Sequence, residues 1–288
     1  MKQRIITAIF FLAVMALILV PGMWIPGITF ILFPVLAWSM SYELNLIGEK
    51  SVAAIKLIRY LAASAFIPGA VVLIFRFNTE QRFLLREPYM WWTLALFMIL
   101  LIAQLFVPLL KRGPEVFNTV VKEVAGTVYI FFPLLLGATL LLTVRHGIYW
   151  LYLAIVTPWI SDTLAYFTGV AFGKRKLIPR LSPNKTVAGF LGGSISTAIL
   201  YGVLALLAKQ PLQLEARKVV LFAVFALIGF VIGIISQFGD WTASALKRSA
   251  GIKDFSRLLP GHGGILDRFD SFLFTVPAVF VLAVTLHF

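Results

Sequence analysis

The sequence has no cysteine and little acid. Among its 288 residues there are 12 Asp and Glu, and 13 % of the chain is charged. Zero Cys excludes disulfide staples, thiolate nucleophiles, cysteine-ligated zinc and iron–sulfur clusters. The scarcity of charge excludes an ordinary water-soluble globule, in which about 25 % of residues are charged. It also excludes a disordered chain, which needs high charge and few apolar residues. Internal repeats and low-complexity tracts are missing, so the inverted-repeat plan of many transporters is not expected. What is there is apolar. The chain is 60 % hydrophobic, with 26 Phe and a mean hydropathy of +0.96.

A membrane-crossing helix needs about 20 mostly apolar residues. Nine runs are candidates: Ile5–Val20, Trp24–Met40, Leu61–Phe75, Tyr89–Leu110, Val124–Val144, Gly147–Phe172, Val187–Leu207, Val219–Phe238 and Ser271–Leu286. Met1-Lys2-Gln3-Arg4 before the first run could open a signal peptide. No Ala-x-Ala cleavage site follows, so an uncleaved first helix is the expectation. The fold class expected is an all-α polytopic integral membrane protein of about nine helices. Residues 1–145 read as N-terminal scaffold helices, and residues 146–288 as a second transmembrane region, expected from the residues described below to carry the catalytic loops on the cytoplasmic side.

Basic residues fall unevenly on the loops between these spans. One side takes 18 of them, from Lys2 and Arg4 through Lys50, Lys56 and Arg59, Lys111, Arg112 and Lys122, and Lys174–Lys185, to Lys247–Arg268. The other side takes 7: Arg76, Arg82, Arg86, Arg145, Lys209, Arg217 and Lys218. The positive-inside rule then places the N-terminus in the cytoplasm and the C-terminus outside. The formal net charge is +13. Attraction to anionic lipid headgroups accounts for part of it, and an anionic substrate for the last two basic loops. No nucleic-acid partner is expected.

Chemistry concentrates in the second half. All five aspartates are there: Asp162, Asp240, Asp254, Asp267 and Asp270. If residues 239–248 are helical, Asp240, Ser244, Lys247 and Arg248 lie at i, i+4, i+7 and i+8, on one face. Then come Lys253-Asp254 and Pro260-Gly261-His262-Gly263-Gly264, which cannot be regular helix. Glycines let backbone N–H groups approach an anion closely, and a helix start just beyond adds to that. Asp267 and Asp270 would sit on that helix's first turn. They could cap it or hold a divalent cation. Carboxylates interleaved with Lys and Arg suit metal-assisted phosphate chemistry. A solvated charged loop and an ion or solute pathway remain open alternatives.

A second cluster runs from Asp162, inside an apolar run, through Lys174-Arg175-Lys176 to Ser182-Pro183-Asn184-Lys185-Thr186. An ionisable residue within a span marks function or a buried hydrogen bond to a neighbouring helix. Gly192-Gly193 reads as close helix packing. Of the three histidines, His262 is the functional candidate, while His146 and His287 are expected at the outer interface.

Ser244-x-x-Lys247-Arg248, Lys253-Asp254, Pro260–Gly264 and Asp267-Arg268-Phe269-Asp270 together resemble the motif of the phosphatidate cytidylyltransferases, the CDP-diacylglycerol synthases. Asp162-Thr-x-Ala-Tyr-Phe, Ser182-Pro-x-Lys185-Thr and Glu43 resemble the same family. The strong motifs cover about residues 160–275. The resemblance implies a membrane enzyme, often a homodimer, that turns phosphatidic acid and CTP into CDP-diacylglycerol and pyrophosphate with Mg²⁺, and with K⁺ also reported. It implies Asp240 and Asp267 as metal ligands, with Lys185 joining them as a catalytic residue. It implies substrate contacts at Asp162, Ser182, Ser244, Lys247, Arg248, Lys253, His262, Gly263, Gly264, Arg268 and Asp270. It implies a setting among membrane lipids, in a bacterial inner membrane with the site facing the cytoplasm. Ala188, Ala243, Leu164 and Phe255-Ser256 depart from the usual pattern. The alternatives are a transporter or ion pathway using Asp162, and a weakened paralogue.

Overall fold

In the computed structural model, residues 2–47, 53–66, 82–144, 146–179, 181–207 and 218–286 are described. Ten α-helices and one short β-hairpin occur among them: α1 (Lys2–Gly22), α2 (Pro26–Phe30), α3 (Leu32–Ile47), α4 (Ala53–Ser64), α5 (Arg82–Arg112), α6 (Phe117–Thr143), α7 (Gly147–Phe172), β1 (Lys176–Ile178), β2 (Ser182–Thr186), α8 (Val187–Leu207), α9 (Lys218–Ser249) and α10 (Leu266–Thr285). Among the described residues, six segments are long and apolar enough to cross a membrane: Gly27–Ile47, Trp91–Arg112, Pro114–Thr143, Val187–Leu207, Lys218–Ser249 and Leu266–Thr285. Large apolar side chains such as Leu110 and Val219 are 84 % and 79 % exposed. In water such faces would aggregate; in lipid they need no cover. The chain is an integral membrane protein, helical as expected.

Several boundaries differ from those expected. The span expected at Trp24–Met40 is shifted: α3 continues to Ile47 and takes Glu43 into a helix. The span expected at Val219–Phe238 is the first part of α9, which runs on through Asp240 and Ser244 to Ser249. There a Schellman motif stops it. Gly251 has φ +71, its N–H donates to Arg248 O at 3.1 Å, and Ile252 N–H donates to Lys247 O at 2.9 Å. Lys247 and Arg248 in the last turn suit the negative end of the helix dipole. α7 is 26 residues long but is not among the six; Asp162 and neighbouring Ser, Thr and Trp lower its hydropathy. The span expected at Leu61–Phe75 runs past residue 66. Its remainder, with Lys50, Arg76, Arg145, Arg180, Lys209, Arg217 and His287, lies outside the described residues.

The chain divides into two compact units. The first holds residues 1–148 and 254–268, the second residues 149–253 and 269–288. The first unit is organised around a buried ion pair. Arg59 on α4 is 1 % exposed and pairs with Glu123 of α6. Its Nε donates to Thr127 Oγ1 at 2.9 Å, and its guanidinium also donates to Asn45 Oδ1 at 2.9 Å and Glu123 O at 2.8 Å. Gln104 of α5 donates to the same Thr127 hydroxyl at 2.9 Å. One guanidinium fork thus ties α3, α4 and α6 together, and α5 joins through Thr127. Arg59 was counted above as a loop cation. That is corrected here: it is an interior group, retained because a carboxylate and three neutral acceptors replace its water.

The second unit packs helices through glycine. A Cβ on Gly189 of α8 would come within 2.7 Å of Ala165 O on α7, and one on Gly193 within 2.9 Å of Ser161 O. A Cβ on Gly192 would collide with Thr168. On α9, Gly229 would meet Thr197 O at 2.5 Å, and Gly239 would meet Asp270 O of α10 at 2.7 Å. Small residues let helix backbones touch where no hydrophobic effect drives association. Gly192-Gly193 therefore acts as expected, in packing. The hairpin β1–β2 is antiparallel, with Lys176 opposite Thr186 and Ile178 opposite Ser182.

Candidate active site

In the second unit, the hairpin delivers Lys185. Thr186 Oγ1 accepts the Gly189 N–H at 3.1 Å, which caps α8 and fixes the exit of β2. Gly173 makes room for it, since a Cβ there would meet Thr186 Oγ1 at 2.7 Å. So placed, Lys185 Nζ forms an ion pair with Asp240 Oδ2 of α9 and lies 5.5 Å from the centre of the Trp241 ring. Trp241 in turn stacks on Phe190 with centroids 5.6 Å apart. The Lys185 and Asp240 side chains are 24 % and 30 % exposed. An ion pair this wet contributes about 0–1 kcal/mol. Stability therefore does not account for placing it here.

What the pair does face is a cavity of about 590 Å³. Asp162, Tyr166, Lys176, Ser182, Asn184, Lys185, Gln237 and Asp240 all line it. Asp270 is buried, 7 % exposed, and its carboxylate accepts the Ser271 N–H at 2.6 Å. It lies within electrostatic range of Asp240, Asp162 and Lys247. Three acids and three lysines are thereby gathered in one unit from α7, β1, β2, α9 and α10. Ser244 is half-buried on α9 as the spacing requires, and Arg248 is exposed, donating to Ile252 O at 3.2 Å. Lys253 is exposed beyond the helix end.

The first unit holds the loop 254–268. Gly261 and Gly263 have φ of +77° and +83°, as its glycine content requires. His262 between them is half-buried, and its Nδ1 is buried with no hydrogen-bond partner among the described residues. Asp267 Oδ2 accepts two backbone N–H groups, from Phe255 at 3.0 Å and Gly264 at 2.8 Å. Arg268 is exposed. Glu43, fully buried on α3, accepts from Ser256 Oγ, Ile265 N and Leu266 N, each at 2.7 Å. Glycine-rich N–H groups were expected to reach a substrate anion. Here those of Gly264, Ile265 and Leu266 are taken by the protein's own carboxylates. The departures at Phe255-Ser256 acquire a use: the Phe255 side chain is buried, 3 % exposed, while Ser256 reaches Glu43.

Two participants were missed from sequence. Gln237 lines the cavity and donates to Phe190 O at 3.0 Å and Ser194 Oγ at 3.1 Å. It is a lone amide near the end of an apolar run, the signal that flags an intramembrane polar group. Trp241, under the Lys185 ammonium, carried no comparable signal.

The sequence profile of the cytidylyltransferase family matches residues 2–286. The chain belongs to the cytidylyltransferase family. A phosphatidate cytidylyltransferase of Bacillus subtilis is 32 % identical to it over 287 residues, covering 98 % of this chain and 97 % of the relative. One of Staphylococcus saprophyticus is 31 % identical over 285 residues, covering 99 % of each. One of Staphylococcus aureus is 40 % identical over 144 residues, or 49 % of this cytidylyltransferase and 52 % of the relative. The match extends through the first half, where the motifs read from sequence were few.

Proposed function

We propose that this cytidylyltransferase transfers CMP from CTP to phosphatidic acid, releasing pyrophosphate and leaving CDP-diacylglycerol. The observation that carries the proposal is the Lys185–Asp240 pair on the wall of a cavity lined by further polar side chains. An oxygen of the lipid phosphate attacks the α-phosphorus of CTP. The bond from that phosphorus to the oxygen bridging it to the β-phosphate breaks, and pyrophosphate departs with the electron pair. A phosphate monoester is largely ionised at neutral pH (its second pKa is about 6), so the nucleophile needs no general base. The obstacle is charge: both reactants are anions. Lys185 supplies a cation at the cavity, with Lys176 beside it, and Lys247, Arg248, Lys253 and Arg268 are proposed to screen the rest. Ser182 and Ser244 offer hydroxyls to phosphate oxygens.

Mg²⁺ fits this donor set. Among the described residues no group of three or more His, Cys, Asp or Glu is arranged as a metal cage. Mg²⁺ does not require one: it takes one or two carboxylates and fills its shell with water and substrate phosphates. Asp240, half-open to the cavity that Asp162 also lines and with Asp270 in electrostatic range, has that character. Bound Mg²⁺ would supply positive charge that stabilises the leaving pyrophosphate. Asp240 is the proposed ligand on this geometry; Asp267 is added to it on the family resemblance alone. We assign the enzyme nine spans, a cytoplasmic N-terminus, a homodimeric state and a bacterial inner membrane, on the loop charges and the family resemblance.

The test is direct. Purified protein in mixed micelles with phosphatidic acid, CTP, Mg²⁺ and K⁺ is expected to yield CDP-diacylglycerol by mass spectrometry, and none after chelation of the divalent ion. Solute flux in liposomes without a CTP-derived product would favour the transporter alternative instead.

A further inference from the structure

Glu43 presents an unusual combination. It sits inside a span, is fully buried, and makes no ion pair among the described residues. A buried carboxylate without a cation is expensive unless its lone pairs are filled. Glu43 fills them with three donors from both arms of one loop: Ser256 Oγ on the incoming arm, and Ile265 and Leu266 N–H on the outgoing arm. The last two are N–H groups at the start of α10, where the helix dipole also favours an anion. A Cβ on Gly264 would collide with the Glu43 carboxylate, so glycine is needed for the loop to lie this close. The next acid along, Asp267, completes the closure through Phe255 and Gly264 N–H.

From this geometry we infer that Glu43 is a positioning residue for cytidylyl transfer: a carboxylate on α3 that buckles the two arms of loop 254–268 and sets the direction in which Asp267 and Arg268 leave the first turn of α10. The inference rests on the function proposed above. Ser256 is part of the buckle. Its hydroxyl is what joins the incoming arm to Glu43, and Leu258 N–H donates back to it at 3.2 Å. Glu43 touches neither reactant; it acts through the two residues that follow its backbone donors.

The experiment uses the full chain in detergent with four variants: Glu43→Gln, Ser256→Ala, Ser256→Thr and the double variant Glu43→Gln with Ser256→Ala. Glutamine turns an NH₂ toward backbone N–H groups, so at least one bond to α10 is lost. The expected result is a fall in kcat of about 10–100-fold for Glu43→Gln, with KM for CTP within about threefold of wild type. Ser256→Ala gives a smaller fall that Ser256→Thr restores, and the double variant is no worse than Glu43→Gln alone, because both act through one buckle. Hydrogen exchange at the Ile265 and Leu266 amides rises in Glu43→Gln. Unchanged exchange there, or unchanged kcat with raised exchange, overturns the inference. So does a double variant whose losses simply multiply. If Glu43→Gln does not fold, Ser256→Ala against Ser256→Thr carries the test by the same readouts. If wild-type protein makes no CDP-lipid, the functional proposal fails by itself, and the exchange measurement still decides whether the buckle exists.

Discussion

Asp240→Asn leaves a folded protein that turns over CTP on the order of 10²–10³-fold more slowly. The magnitude follows from what the carboxylate does in this site. It is the anionic partner of Lys185, it opens onto the cavity, and it is the proposed Mg²⁺ ligand. Asparagine keeps the shape and one acceptor oxygen but removes the charge that attracts both cations. Little stability is at stake, because the pair is about a quarter to a third exposed. The check is kcat at saturating CTP and Mg²⁺, with size-exclusion elution and thermal unfolding as controls. Near-wild-type turnover in Asp240→Asn would remove this residue from the mechanism. Asp267→Asn is a harder case to read, since Asp267 also holds Phe255 and Gly264 N–H. A loss there separates into metal binding and loop closure only if excess Mg²⁺ restores the first.

The other large effect concerns folding. Arg59→Leu is expected to destabilise the protein by about 3–5 kcal/mol, because it strands the Glu123 carboxylate in the interior. Asn45, Thr127 and the Glu123 carbonyl lose a donor at the same time. Removing both charges, in Arg59→Leu with Glu123→Leu, should recover much of the loss, since a buried pair is often no better than well-packed apolar side chains. Denaturant or thermal unfolding in one detergent measures both. A single variant as stable as wild type would mean that Glu123 finds another partner.

The side-chain cluster of the second half was legible because its signals are local. Asp240, Ser244, Lys247 and Arg248 fall within nine residues of one helix, so the 3.6-residue period alone puts them on a face. The turn at Gly261–Gly263 and the start of α10 just beyond it follow from glycine chemistry and the return of apolar periodicity. Arg59 and Glu43 show why other features were hidden. The partners of Arg59 on α6 are 64–68 residues away, and those of Glu43 are 213–223 residues away. Arg59 read as a loop cation and Glu43 as an acid near the end of a span, and only the fold shows that they are sealed inside. The β1–β2 hairpin was hidden for a different reason. Its strands of 3 and 5 residues lie in a polar segment, where backbone pairing leaves no trace in hydropathy.

The fate of the α-phosphate tests the whole account. With CTP labelled at the α-phosphorus, the radioactivity should appear in the organic phase as CDP-diacylglycerol; with the γ-position labelled, it should appear only in aqueous pyrophosphate. Label from the γ-position in lipid would instead report phosphoryl transfer, and α-label confined to water would report hydrolysis; either result would contradict attack by the lipid phosphate on the α-phosphorus.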